Sequence, residues 1–209
     1  MTFAINTQFK HIMISGFLLW LFSVIGTTLV SFTQQQTLDL IADNEKRVLL
    51  QNLYALLPAE KLDNDIAQDT LEISASELLG TKNSTLVYRA RKQGLPVAVI
   101  FNAVAPGGYN GEINLLIGVY VDGSLAGVRA VKHNETPGLG DAIEIRKSPW
   151  IRGFEGKSLD NPAPEKWKVR RDGGDFDQIT GATITPRAIV KAVKSTLTYY
   201  QQHREELFL

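Results

Sequence analysis

The feature that most limits what this chain can become is a run without a single charge, Ile12–Phe32, reading IMISGFLLWLFSVIGTTLVSF. At ~1.5 Å per residue a helix of that length reaches roughly 30 Å, the depth of a bilayer's hydrocarbon core. The competing reading is a cleaved leader, whose apolar core is shorter and ends at a small-x-small cleavage site. Leu29-Val30-Ser31-Phe32 does not supply such a site, so the run is read as a retained anchor. Lys10 precedes it, and acidic Asp39, Asp43 and Glu45 follow it before Lys46 and Arg47. Lysine and arginine set orientation, and their placement favours a cytoplasmic segment 1–11, a transmembrane helix 12–32 and a remainder outside the cytoplasm. In a bacterium that is single-pass insertion in the inner membrane, with the bulk of the chain in the periplasm.

The remainder has the composition of an ordinary folded domain. The chain has 209 residues, formal charge +0 and 44% hydrophobic residues, enough for one domain with a real core. Neutrality argues against nucleic acid as a partner, since that needs a basic footprint. There is no cysteine, which removes disulfides, iron–sulfur ligation by thiolates and cysteine nucleophiles. His11, His133 and His203 stand far apart, so no histidine-based metal site is expected. The acids Asp172, Asp175 and Asp177 do not fit an EF-hand spacing and read as a solvated turn.

Along the chain, Leu38, Ile41, Val48, Leu49, Leu53 and Leu57 recur at mostly helical spacing and Pro58 ends the pattern. Residues 33–83 are therefore read as a juxtamembrane helix and a polar connection with room for one short element. From 84 onward the pattern is β: Thr85–Arg91, Pro96–Ala105, Ile113–Val121 and Leu125–Lys132 predict an antiparallel meander of about four strands. Asp122-Gly123 reads as a two-residue type I′ hairpin turn. Asp141–Lys147 is expected to form a short helix and Trp167–Arg171 a further strand. Thr185 is read as the N-cap of a final helix with Pro186 at its first position, and Ile189, Val193, Leu197 and Tyr200 share one face of it. The fold class is α+β: one transmembrane helix, then a mostly antiparallel meander packed with helices.

Two segments carry possible chemistry. DQITGATITPRAIVKAV, Asp177–Val193, crowds Thr180, Gly181, Ala182, Thr183 and Thr185 before the last helix. A helix N-terminus attracts anions through its unpaired N–H groups and partial positive charge. Arg187 in that first turn opposes the dipole, a conflict that a bound phosphate would remove. Simple capping explains the same residues. HNETPGLGDAI, His133–Ile143, is a glycine-containing loop after a strand; it could lie against a planar ligand or be an ordinary turn. His133, Tyr109 and Trp150 could each border a ligand, or serve packing alone.

Taken together, the segments resemble the covalent FMN-binding domain family. DQITGAT fits its Asp-x-x-(Ser/Thr)-Gly-Ala-Thr signature without departure. The order of span, ETPGLG loop and C-terminal motif is similar to the G-type component of the Rnf-type ion-translocating electron transport complexes, with the C-type component of the sodium-translocating NADH:quinone reductase as a relative. The resemblance implies one FMN per chain on a phosphoester to Thr183. Asp177, Thr180, Gly181 and Ala182 would complete the signature read by a separate flavin transferase. Glu135, Thr136, Gly138, Leu139 and Gly140 would lie near the isoalloxazine. Thr185 and the first amides of the last helix are expected to hold the phosphate, with Arg187 offsetting its remaining charge. Residues 84–209 would then be a periplasmic FMN-binding domain relaying electrons among other subunits of a membrane complex of the ferredoxin/NAD type, embedded in the lipid bilayer. Two alternatives stand beside this reading: a tethered module binding a phosphorylated ligand reversibly, and a structural assembly component with an empty motif.

Overall fold

A computed structural model describes residues 2–208. Helix α1, Thr2–Leu56, contains the apolar run and is long and apolar enough to cross a membrane. The chain divides into two compact units, Met1–Leu49 and Leu50–Leu209. The second unit therefore begins inside α1.

That unit is built on a five-stranded antiparallel sheet in sequence order: β1 Thr70–Ile73, β2 Thr85–Lys92, β3 Leu95–Gly108, β4 Gly111–Tyr120 and β5 Leu125–Lys132. Alternation along the strands assigns two faces. The row Val87–Phe101–Ile117–Val128 runs across four strands and is fully buried. It faces helix α2, Ile184–Phe208, whose Ile189, Val193, Leu197 and Tyr200 are buried as their spacing predicted. Phe101 meets Tyr199 and Tyr200 edge-on, with ring centroids at 6.0 and 6.5 Å. On the opposite face Tyr88, Ala98, Ile100 and Leu116 are buried, as are Leu53, Leu56 and Leu57 at the end of α1, where Leu56 lies over Gly118 and Gly127. The sheet is thus covered on both sides, by α2 and by the last turns of α1.

The structure corrects several sequence expectations. The meander has a fifth strand: the short element allowed for in the connection before residue 84 is an edge strand, β1, in register with β2 from Thr70↔Tyr88 to Ile73↔Thr85; its four residues are too few for alternation to stand out. The compact unit that contains the sheet starts at Leu50. The β4–β5 hairpin is not a two-residue type I′ turn, because Asp122 does not take positive φ. Its carboxylate instead accepts from the Ser124 N–H at 2.8 Å, and Gly123 alone is left-handed at φ 88°. The tight two-residue turn is at Gln93-Gly94, φ 53° and 75°, between β2 and β3. Trp167–Arg171 forms no strand; a 3₁₀ turn at Pro164–Lys166 precedes it and another, Arg170–Asp172, takes up its last two residues, with an isolated bridge from Val169 to Phe176. The expected helix at 141–147 is a 3₁₀ turn, Gly140–Ile143.

Candidate functional site

The two motifs meet through a pair of glycine turns. In Thr136-Pro137-Gly138-Leu139 the Leu139 N–H donates to the Thr136 carbonyl at 3.1 Å, with Gly138 at φ 78°. In Ile179-Thr180-Gly181-Ala182 the Ala182 N–H donates to the Ile179 carbonyl at 3.0 Å, with Gly181 at φ 79°. Positive φ at the third residue is what a type II turn requires, and glycine meets it without a steric cost. The turns touch: a Cβ on Gly181 would stand 2.7 Å from the Leu139 Cδ2.

Glu135 joins them from below. Its carboxylate is buried, with 5% of the residue exposed. One oxygen accepts from the Asn110 N–H at 3.2 Å in the β3–β4 turn, and the other accepts from the Thr185 hydroxyl of α2. Gly140 lies so close that a Cβ there would be 2.5 Å from the second oxygen. His133 braces the same loop: its Nδ1 accepts from the Glu135 N–H at 3.2 Å, and its Nε2 lies 3.4 Å from Glu144. It has a bracing role and does not line the pocket. Trp150 is likewise outside the pocket lining; its Nε1–H donates to the Asp177 carbonyl at 2.7 Å, steadying the start of the signature loop.

Between the turns and the start of α2 lies a pocket of about 290 Å³, lined by Tyr109, Glu135, Thr136, Leu139, Gly140, Gly181, Ala182, Thr183, Ile184 and Thr185. Of the expected site residues, this brings together all but Thr180, which is exposed on the adjoining turn, and Gly138, at the tip of its own turn. Ile184 was missed; it precedes the helical spacing that marked the other apolar positions. Tyr109, Leu139 and Ile184 form an exposed apolar rim, and Thr183 is half-buried at the edge.

The helix begins one residue before the cap predicted from sequence. Its first helical residue is Ile184, which makes Thr183 the cap, Thr185 the second residue and Pro186 the third. Proline fits there because first-turn amides lack intrahelical partners anyway. Thr185 lines the pocket, but the residue is fully buried and its hydroxyl donates to Glu135, which leaves its backbone amide as the group able to meet a phosphate. Arg187 is also not free. Its Nε and Nη2 each donate at 2.6 Å to the two oxygens of Asp172. The guanidinium holds the Asp172 carboxyl below its ordinary range, and the carboxylate raises Arg187 in turn. The dipole conflict is thus resolved within the chain. The signature's first residue, Asp177, lies at the surface with a 2.6 Å pair to Arg170.

These residues suit FMN. The unpaired amides of Thr183, Ile184 and Thr185 match a phosphate, and the apolar rim offers surface to a flat ring system. The pocket lies near the lower edge of the ~300–1,000 Å³ usual for ligand sites.

A family described as the FMN-binding domain matches residues 108–198, and one described as the RnfG N-terminal region matches residues 1–56. The chain is 46% identical over 194 residues to the G-type component of the ion-translocating oxidoreductase complex of Shewanella oneidensis, covering 93% of this chain and 92% of that one. Against the same component from Pseudomonas aeruginosa it is 47% identical over 193 residues, 92% and 90% of the two chains. Against that of Vibrio cholerae it is 43% identical over 193 residues, 92% of each. The chain belongs to the RnfG family, the G-type components of ion-translocating oxidoreductase complexes. For this family member the matched FMN-binding domain contains both turns, Glu135 and Thr183, and the matched N-terminal region coincides with α1 as far as Leu56.

Proposed function

We propose that this chain is a membrane-anchored electron-transfer component with one FMN, bound covalently through a phosphodiester to the Thr183 hydroxyl. The observation that carries the reading is the charge of the pocket. Its lining holds one carboxylate, Glu135, and no lysine, arginine or histidine. Amides at a helix end attract a phosphate, but a site that holds a phosphorylated ligand reversibly gains much of its strength from cations. With Arg187 taken up by Asp172, a permanent bond accounts for retention better than affinity does. This weighs against the reversible binder. A domain outside the cytoplasm gains from the same bond, since a dissociated cofactor is lost there.

FMN, when bound, supplies electron carriage; the protein supplies binding, orientation and electrostatics. Thr183 would hold the tether at the pocket edge, the amides of Ile184 and Thr185 would meet the phosphodiester charge, and the apolar rim of Tyr109, Leu139 and Ile184 would offer surface to the ring system. Glu135 keeps the loop and α2 in register. The hydroxyl of a threonine is too weak an acid to react unaided, so maturation uses a flavin transferase that reads Asp177, Thr180, Gly181 and Ala182. Electrons pass to and from other subunits of the complex. Ion movement belongs to those subunits, because residues 12–32 contain no ionisable side chain. The anchor crosses the inner membrane once, with the domain on the periplasmic side.

The test is direct. Protein made in a host with the transferase fluoresces at its own band after denaturing electrophoresis, and its intact mass exceeds the chain by FMN minus one water. Thr183→Ala abolishes both signals. A dark wild-type band, or a signal that survives the substitution, overturns the assignment. Flavin present only before denaturation favours reversible binding.

A further inference from the structure

We infer that Pro186 is a positioning residue for flavin attachment: by removing the N–H that would cap against it, it leaves the Thr183 hydroxyl uncommitted. The inference rests on Thr183 being the attachment point and adds a requirement that the signature motif does not contain.

A threonine before the first helical residue ordinarily turns its hydroxyl inward, accepting from the N–H of the second or third helical residue. Here the third helical residue is Pro186, which has no N–H. The second, Thr185, keeps its amide, but among the described residues that amide forms no bond to the Thr183 hydroxyl, so the third position is where an N–H could restore the cap. Among the described residues the hydroxyls of Thr185, Thr196 and Thr198 have partners within the chain, and that of Thr183 has none. Thr183 instead stands half-buried on the lining of the pocket.

The consequence is kinetic. In attachment the Thr183 Oγ–P bond forms as the bond between the flavin phosphorus and the departing phosphate of a flavin phosphoric anhydride breaks, and the hydroxyl proton passes to solvent. A hydroxyl that is accepting an N–H bond from the helix is held in a rotamer aimed at the helix axis and away from the pocket. That bond has to open before attack. Restoring an amide at 186 therefore slows transfer by about fivefold, the Boltzmann equivalent of a typical N-cap bond of ~1 kcal/mol. The finished phosphodiester still benefits from the remaining helix amides.

The experiment uses the full chain in detergent, made without the transferase, then incubated with purified transferase and flavin dinucleotide. Band fluorescence is followed over time and thermal midpoint is measured alongside. Pro186→Ala is expected to label about fivefold more slowly than wild type. Because Pro186 is buried, Ala also alters packing, so a second variant separates the effects. Lactic acid in place of Pro186 presents the side chain of Ala on a backbone ester without N–H, and is expected to return the rate to near the wild-type value. Equal rates for Ala and lactic acid, or a rate for Pro186→Ala that matches wild type, overturn the role of Pro186 while leaving attachment at Thr183 intact. A wild-type chain that never labels overturns both.

Discussion

Replacing Thr185 by Val tests whether the loop after β5 and the start of α2 are one unit. The two side chains have nearly the same shape, so the substitution removes a hydroxyl and little else. In the structure that hydroxyl donates to a carboxylate on a residue only 5% exposed. Without it Glu135 keeps the Asn110 N–H at 3.2 Å, and a buried charge loses one of two partners. Hydrogen bonds to charged groups contribute about 1.5–3 kcal/mol. For a folded unit of about 160 residues, each kcal/mol corresponds to roughly 2–4 °C in Tm. The thermal midpoint of the full chain, followed by tryptophan fluorescence, should fall by roughly 3–12 °C. In a double-mutant cycle with Glu135→Gln the combined loss should be well below the sum, because the second change removes the charge that the first strands. Strict additivity, or a melting point within about 1 °C of wild type, would refute the claim that this bond holds the pocket together.

Two further outcomes follow from the same geometry. Gly181→Ala forces a left-handed residue and a contact 2.7 Å from the Leu139 Cδ2; the backbone term is about 1–2 kcal/mol, or a Tm drop of roughly 2–8 °C. Adding Leu139→Ala relieves the contact but not the strain, so recovery to the wild-type midpoint in the double variant would contradict the assignment. At Asp69, burial pushes the carboxyl up, but hydrogen bonds from Arg89 and Arg91, at 2.7 and 2.9 Å, outweigh it and leave the group below its ordinary range. A depressed carboxyl stabilises above its unfolded pKa of about 3.9 and loses that contribution as pH falls through the folded value. Asp69→Asn should therefore melt below wild type at neutral pH, with the gap closing under acid; a gap independent of pH would argue against it.

Much of this was legible from residue order. The uncharged run announced the long helix, alternation announced β2, β-branched and aromatic runs between glycine turns announced β3 to β5, and the helical spacing of Ile189, Val193, Leu197 and Tyr200 announced the face of α2. What escaped was set by tertiary contact. β1 is recognisable only through its pairing with β2. The residues around Trp167 look extended because they are apolar and basic by turns, yet they pack as 3₁₀ turns where Trp167 and Phe176 bring their ring centroids to 4.9 Å. At the site, sequence identified nearly every lining residue but misassigned two partners. A cap reading at Thr185 could not foresee a carboxylate fifty positions away. Nor could local spacing reveal that Asp172, in a separate turn, had claimed Arg187.

The place where the folded unit begins has a practical consequence. Leu56 ends the helix that also bears the apolar run, yet it lies over Gly118 and Gly127 of the sheet, and its neighbours Leu53 and Leu57 are fully buried. A soluble fragment cut at Pro58, or at residue 84 where strand patterning starts, would bare a greasy hollow over Gly118 and Gly127 and invite clumping. Anyone trimming the anchor should cut no later than Leu50 and retain those two helical turns as a lid.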